Sequence, residues 1–499
     1  MHRHARKMIC GVFVFCAMSA LMAQEQTFTV LGDFRQTVYG AATPLVQGRD
    51  GNFYGTTVEG ISSPNCINQG GLVCGAIYRV TPGGKVTWLH QFCQDKDCTD
   101  GFDPGGLALG ADGAFYGVAQ SSFARDCKDT CGTIFKIEPN GLFTTLHTFT
   151  GPDGQHPIGT LVLGKDGNFY GTTYYGGAGT GGTIFKISPA GDLTTLHSFQ
   201  FADGMHPTAA LTLATDGNFY GLTPYGGNHD CFSGCGTFFR MTPSGKFSVL
   251  HSFVPHTEGS TSTTGVVQAP DDNFYGSNSA DALNQSGTVF RLTPSGDLTV
   301  LQVLTYYGLS FLSTPVVGPD GYLYGVSAYG DSAQVTCYDR GCGILYRFTT
   351  AGDFSILHNF CLKERCADGI PGFDYYGSVP TPTQSTDGIF YGVTYDGGIE
   401  QCHNINGTHG CGTIYSLSRG FAPFVKVVPS WGAAGATVTV LGTNLTGATS
   451  VRFSGAEAEF TVVSKTEISA TVPAGATTGK VDVTTPNGTL TTHVPFEVQ

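Results

Sequence analysis

One phrase recurs seven times along the chain and limits its fold more than any other feature. It comprises an Asp-Gly-like turn, an aromatic-Tyr-Gly triplet, a Gly-rich link, a GTIF-like strand, a Pro-x-Gly-like turn and an LHSF-like strand. The middle Tyr of the triplet falls at Tyr54, Tyr116, Tyr170, Tyr220, Tyr275, Tyr324 and Tyr391, at spacings of 49 to 67 residues. Periods near 50 with several short strands per copy belong to propellers, each copy making one blade. In the third copy, Thr160 opens strand a, NFYGTT is strand b, GTIFKIS from Gly182 is strand c, and DLTTLHSF ending at Phe199 is strand d. Alternating apolar and polar residues in c and d mark half-buried strands, and Asp-Gly supplies the positive φ of a tight hairpin. Asp166 and its six counterparts are therefore read as turn formers.

The order of the pieces sets an expectation for closure. GTIF-like strands begin at Gly75, Gly132, Gly182, Gly236, Gly287, Gly343 and Gly412, and no strand d follows the last. The segment Thr27 to Phe34 precedes the first copy and has the pattern of a strand d. It is expected to complete the seventh blade, because a propeller must leave no free sheet edge. The fold expected is all-β, a seven-bladed β-propeller closed by the N-terminal strand. The a–b and c–d turns have constant length, so they form a uniform face. The b–c and d–a links vary in length and share the opposite face, the usual place for binding on a rigid scaffold.

Composition agrees with many tight turns: Gly reaches 72 residues without the period of collagen, and aromatics make up 12%. Arg3, Arg6 and Lys7, an apolar run from Met8 to Met22 and Ala23 read as an export signal over residues 1–23. Cys16 lacks the small residues that precede a lipidated cysteine, so no lipid anchor is expected. With the leader removed, the net charge of −13 becomes about −16, which argues against a nucleic-acid partner. Of 16 cysteines, 14 remain after residue 23. They lie in close couples: Cys66 and Cys74, Cys93 and Cys98, Cys127 and Cys131, Cys231 and Cys235, Cys337 and Cys342, Cys361 and Cys366, Cys402 and Cys411. In an exported chain such couples read as disulfides, and their spacing does not supply the paired knuckles of a zinc site. In the first and sixth copies, a cross-link from the b–c link to the next d–a link, such as Cys74 to Cys93, is the alternative to local pairing. No cofactor, no metal and no membrane span are expected of the mature chain, which reads as a monomer secreted to the cell surface or exterior, or held in the periplasm.

From residue 421 the repeat stops. Short strands with few charges and no cysteine mark a separate β-sandwich to residue 499. The phrases DGNFYGTT, GGTIFKISP and LTTLHSF resemble the GloVer tandem repeat of exported bacterial proteins, over residues 27–420. The tail resembles an immunoglobulin-like IPT/TIG domain over 423–499, on the strength of PSWGAAG, VTVLGTNL, VRFSG and VPAG. These resemblances imply an exported protein of propeller plus sandwich (24–420 and 421–499) and carry over no catalytic residue. Family members often end in a sorting segment, whereas Gln499 here ends a sandwich, so surface attachment is not implied.

No GxSxG, HExxH or P-loop pattern occurs, and the GxGxxG at Gly177, Gly179 and Gly182 precedes a strand instead of a helix. The strand-d histidines His90, His147, His197, His251 and His358 recur with the blade and read as structural. In the d–a links, Asp153 with His156 and Asp203 with His206 offer acid-base groups, against a plain Asp-Gly turn ended by Pro. Tyr174, Tyr175, Tyr225, Tyr329 and Tyr395 follow strand b, and Tyr306, Tyr307, Tyr375 and Tyr376 lie in d–a links. Flat amphipathic rings at a wet face suit sugars or a protein surface, against mere packing of links over the blades. The function expected is a non-catalytic binding or adhesion protein that recognises an extracellular polysaccharide or a surface protein. An extracellular lyase or hydrolase and a purely structural surface repeat are the alternatives.

Overall fold

The computed structural model describes residues 26–499 apart from 35–39, 42, 59–73, 96, 123–130, 228–230, 232, 255–256, 259–263, 279–287, 305–311, 331–341, 373–378, 399–400 and 405–406. The expected export signal, residues 1–23, lies outside the described residues. Among them the chain is β structure, with a 3-10 turn at Glu364–Cys366 and no α-helix. No described helix is long and apolar enough to cross a membrane, which leaves β-barrel spans unaddressed.

Residues 27–418 build seven four-stranded antiparallel sheets. In the third, strands a to d are Gln155–Leu163, Phe169–Tyr175, Thr183–Ile187 and Leu193–Ser198. The seventh combines Thr383–Gln384, Phe390–Val393 and Thr413–Ser418 with an outer strand from the other end of the chain, Thr27–Asp33. Thr27 pairs with Ser418 and Asp33 with Thr413, and the register shifts between Val30 and Gly32. The c–d pairs of the other six sheets shift at the matching place, Ile184/Phe185 in the third. The N-terminal strand thus reproduces a strand d down to its bulge.

The repeated phrase has a physical reason at each position. In every sheet the turn Asp accepts a hydrogen bond from the Tyr four residues on, at 2.6–2.9 Å. Its other oxygen takes the amide two residues on, as Asp166 does from Asn168 at 3.2 Å. Burial alone would raise the carboxyls of Asp112, Asp166, Asp216 and Asp271, but these bonds outweigh it and hold them below the usual carboxylate range. Burial and the adjacent carboxylate push the Tyr116 and Tyr220 hydroxyls up to about 12, so they remain donors. In the fifth sheet Asp272 stands where the others have Gly and takes φ 63°, a left-handed conformation that Asp tolerates.

Phe and Tyr of the triplet point to opposite faces of strand b. Each Tyr ring therefore meets the Phe of the next sheet: Tyr54–Phe115 at 4.1 Å, Tyr116–Phe169 at 4.1 Å, Tyr170–Phe219 at 4.0 Å and Tyr220–Phe274 at 4.3 Å. Tyr275 packs with Leu323, Tyr324 meets Phe390 at 4.5 Å, and Tyr391 returns to Phe53 at 4.3 Å. The arrangement is propeller-like. The triplet Gly is required because the strand-c aromatic lies across it: a Cβ on Gly171 would come within 2.6 Å of Phe185.

That strand-c aromatic is Phe in the second to fifth sheets and Tyr78, Tyr346 and Tyr415 in the first, sixth and seventh. All three hydroxyls are buried without a partner among the described residues. An unpaired buried hydroxyl costs on the order of 1 kcal/mol or more. Tyr346→Phe is therefore expected to stabilise the protein by about 1 kcal/mol in urea denaturation. A lower midpoint would mean that the hydroxyl is satisfied after all.

The C-terminal domain packs two four-stranded sheets, containing Thr437–Leu441 with Glu467–Thr471 and Ser450–Phe453 with Val481–Thr485, about a core including Val440, Ile468, Val483 and Phe496. It docks on a–b turns: Arg49 pairs with Glu467 at 3.2 Å, Lys165 with Glu497 at 2.5 Å, and the Phe424 amide donates to the Thr386 carbonyl at 2.9 Å.

Candidate functional site

At the opposite ends of the sheets, the d–a links are built on a pairing that sequence reasoning missed. Each strand-d His donates from Nε2 to an acid in the link that follows: His90–Asp100 at 2.9 Å, His147–Asp153 at 2.8 Å, His197–Asp203 at 3.0 Å, His251–Glu258 at 2.9 Å and His358–Asp368 at 3.2 Å. The acid also takes link amides, as Asp203 does from Gln200 at 2.7 Å. Three of the imidazoles stack flat on a Phe of the next sheet's strand d, His90 on Phe143, His197 on Phe247 and His358 on Phe28, at 3.7–3.9 Å. The pairs therefore tie link, blade and neighbour together. A signal for them was present: the fifth and seventh sheets carry Gln302 and Gly32 in place of His, and their links lack the acid.

Asp153 and Asp203 thus face His147 and His197, and the structure does not join them to His156 and His206. The Gly after each acid is held by close approach: with φ of 131°, a Cβ on Gly154 would lie 2.5 Å from Thr173 Cγ2.

His156 and His206 instead join the tyrosines. Tyr174 and Tyr175 end strand b of the third sheet, and His206 opens the chain into the fourth. The His206 ring stacks on Tyr174 at 4.6 Å and meets Tyr175 and Tyr225 edge-on at 5.0 and 5.9 Å. His156 meets Tyr175 edge-on at 5.7 Å. His206 is a non-glycine residue at φ 57°, anchored by its amide to the Gly181 carbonyl at 2.8 Å. Its Nδ1 lies 2.7 Å from the Tyr174 carbonyl, which can only accept, so Nδ1 carries the proton and Nε2 is free to accept in the neutral ring. Burial lowers the imidazole pKa despite that bond, favouring the neutral ring. Tyr175 is 42% exposed and forms the outer surface of the cluster. The arrangement is an aromatic shelf with one imidazole acceptor. Strained backbone at such a place is a common mark of function.

Tyr329 and Tyr395 lie apart from this shelf, in the sixth and seventh sheets. Tyr395 fills the space over two glycines, its ring and Cβ each 2.4 Å from where a Cβ on Gly40 or Gly372 would be. Tyr306, Tyr307, Tyr375 and Tyr376 lie outside the described residues.

Disulfides join Cys93 to Cys98, Cys231 to Cys235 and Cys361 to Cys366. Cys74, Cys131, Cys342 and Cys411 are also disulfide-bonded. The cross-link from Cys74 to Cys93 is thereby excluded, because Cys93 is paired within its own link. Cys66, Cys127 and Cys337, and the Cys402 side chain, lie outside the described residues. No group of three or more described His, Cys, Asp or Glu side chains is placed to hold a metal ion.

Residues 66–267 and 231–406 match the model of the Gloeobacter/Verrucomicrobia repeat, and residues 424–498 match that of the IPT/TIG domain. No curated protein matches the chain. Among solved structures, a putative 6-phosphogluconolactonase from Bacteroides uniformis is 15% identical over 64% of this chain and 86% of its own, with a TM-score of 0.41. An alpha-L-arabinanase from Penicillium chrysogenum, complexed with arabinobiose, is 14% identical over 60% of this chain and 94% of its own, with a TM-score of 0.38. Puromycin hydrolase is 11% identical over 83% of this chain and 61% of its own, with a TM-score of 0.43. Likenesses this distant bear on neither substrate nor reaction.

Proposed function

Because the chain belongs to the Gloeobacter/Verrucomicrobia repeat family, we propose that it is an exported, non-catalytic binding protein that recognises an extracellular carbohydrate. In this reading residues 24–420 form a closed seven-bladed propeller and 421–499 an immunoglobulin-like domain on its turn face. The ligand meets the face of variable links. The strand pairing of residues 27–33 with 413–418 and the Tyr391–Phe53 contact support the closure. Disulfides in the links support export to an oxidising compartment.

The observation that carries the binding role is the shelf of Tyr174, Tyr175 and His206, with Tyr225 and His156 at its edges. Half-exposed Tyr175, met edge-on by a neutral imidazole that itself stacks on Tyr174, presents an aromatic plane with an acceptor beside it. The faces and hydroxyls of a pyranose ask for that combination. Asp153 and Asp203, committed to His147 and His197, serve to hold the links in place beside it.

Stacking with a few hydrogen bonds supports dissociation constants of roughly micromolar to millimolar per site. Calorimetry against plant and microbial polysaccharides is expected to detect binding at that level. Tyr175→Ala and His206→Ala should each weaken it roughly tenfold or more, a loss of about 1.4 kcal/mol, while Tyr329→Ala leaves it unchanged. Glycan binding that none of the shelf variants alters would overturn the site. If no glycan binds while a surface protein does, the partner is that protein.

A further inference from the structure

The end of the molecule away from the shelf carries a second feature. Where the C-terminal domain meets the first, sixth and seventh sheets, a cavity of about 520 Å³ remains, the size of a small-molecule site. Its walls are mostly apolar, with Pro44, Pro315 and Pro382 just ahead of strands a, Val316 in one of them, and Val425 and Val494 from the sandwich. Three nitrogen-bearing side chains, Gln384, Lys426 and His493, also line it.

None of the three is matched as its surroundings demand. Gln384 is only 8% exposed, and its Nε2 has no partner among the described residues. The reason is local. In the first sheet the corresponding Gln47 is fully engaged: Nε2 donates to Ser385 and Thr386 at 3.0 and 3.2 Å, and its carbonyl takes the Thr386 amide at 3.1 Å. In the sixth sheet Gly318 and Pro319 stand where the seventh has Ser385 and Thr386: neither has a hydroxyl, Pro319 has no amide hydrogen, and the Gly318 amide is already given to the Tyr322 carbonyl at 2.8 Å. The Lys426 ammonium donates to the Gln384 backbone carbonyl and lies 5.5 Å from the Phe424 ring centroid. His493 stacks on the same ring at 3.9 Å, and its buried Nδ1 has no partner among the described residues.

We infer that this interdomain cavity binds a small amphipathic carboxylate, its apolar body against the proline and valine walls and its oxygens among Lys426, Gln384 Nε2 and His493. A carboxylate is acceptor-only and would satisfy all three groups, whereas a neutral hydrocarbon would leave them orphaned. The apolar walls disfavour a densely hydroxylated sugar, so this ligand differs in kind from that of the shelf. The electrostatics agree: burial brings the Lys426 pKa down to about 8, with Asp387 the charge that opposes the shift. His493 is lowered by burial and by the nearby Lys480 and Lys426.

Octanoate is the probe, titrated into the mature full-length protein by calorimetry and ligand-observed NMR, with octanol as the uncharged control. Octanoate is expected to bind in the roughly submillimolar range and octanol at least tenfold more weakly. Affinity should be level between about pH 6 and pH 8, where octanoate is ionised, and fall about tenfold per pH unit above pH 8, as the empty site loses its charge. Lys426→Met should cost tenfold or more in octanoate affinity without lowering the melting temperature. Val494→Trp, which fills the cavity from an exposed wall and touches none of the three polar groups, should abolish binding. No binding at about 10 mM octanoate, equal affinity for octanol, or equal binding by Lys426→Met would each overturn the assignment. Loss of the shelf in the glycan experiment would not.

Discussion

A chain lacking residues 26–34 is expected to lose on the order of 5–10 kcal/mol of stability and to aggregate on warming. These residues supply the outer strand of the seventh sheet, and their loss exposes the hydrogen-bonding edge of Thr413–Ser418. They also supply Phe28, which stacks on His358 at 3.7 Å and on Tyr415 at 5.2 Å, and Phe34, which is 1% exposed and packs on Tyr78 at 5.0 Å. Four apolar side chains, Phe28, Val30, Leu31 and Phe34, leave protein contact at about 1.5–3 kcal/mol each, an upper estimate because the unfolded chain already buries some of that surface. Phe28 reaches the sixth sheet and Phe34 the first, so both boundaries of the seventh sheet weaken together. Thermal melting and size-exclusion chromatography check this, with a chain ending at Gly420 as the comparison. That chain keeps all seven sheets and should lose only the unfolding transition of the sandwich. Unchanged melting after the N-terminal deletion would sink the account of the closing strand.

Breaking one His–carboxylate pair is the next largest effect, and Asp368 is the place to look. Its side chain is 0% exposed and accepts from His358 Nε2 at 3.2 Å, the Leu362 amide at 3.2 Å and the Lys363 amide at 3.3 Å. Burial alone would raise this carboxyl, but the bonds from His358 and the Lys363 amide outweigh it and hold it below its usual range. A carboxyl whose folded pKa lies below its unfolded value contributes stability that is fully present above the unfolded value, near 4. That contribution is lost as the pH falls through the lower, folded pKa. Asp368→Ala should therefore cost about 3 kcal/mol at pH 7, because it orphans a partly buried imidazole and two link amides at once. The difference from the parent protein should shrink below about pH 4. Urea denaturation across pH 2.5 to 7 measures both quantities. A cost under about 0.5 kcal/mol at pH 7 would show that the pair is incidental. The fifth and seventh sheets, with Gln302 and Gly32 at the His position, indicate that a sheet can form without the pair. The expected loss is accordingly local to one link.

Much of this architecture is legible in the residues because a propeller-like array repeats a local code. The Asp–Tyr bond spans four residues, the c–d hairpin has constant length, and Phe and Tyr in sequence must point to opposite faces of one strand. An unpaired strand d at one end and an unpaired strand c at the other leave one sensible partner for each. The His–carboxylate pairs were also within reach, since His and acid are present or absent together in each copy, but only if the two are read as one feature.

The site is a different matter. Tyr174 and His206 are separated by a hairpin and a link, and whether two rings stack across a sheet boundary depends on sheet twist and on the φ that His206 adopts. Tyr395, at the matching place in the seventh sheet, meets two glycines and packs down over them. The chain by itself determined the repeating units, the turn chemistry and the strand left over to pair with the last sheet, because those follow from contacts a few residues apart. Only the tertiary structure decided which tyrosines gather, which histidines join them, and that Gln47 meets two hydroxyls while Nε2 of its counterpart Gln384 meets no partner among the described residues. Those outcomes depend on which sheet lies beside which and at what angle, a relation between residues up to several hundred positions apart.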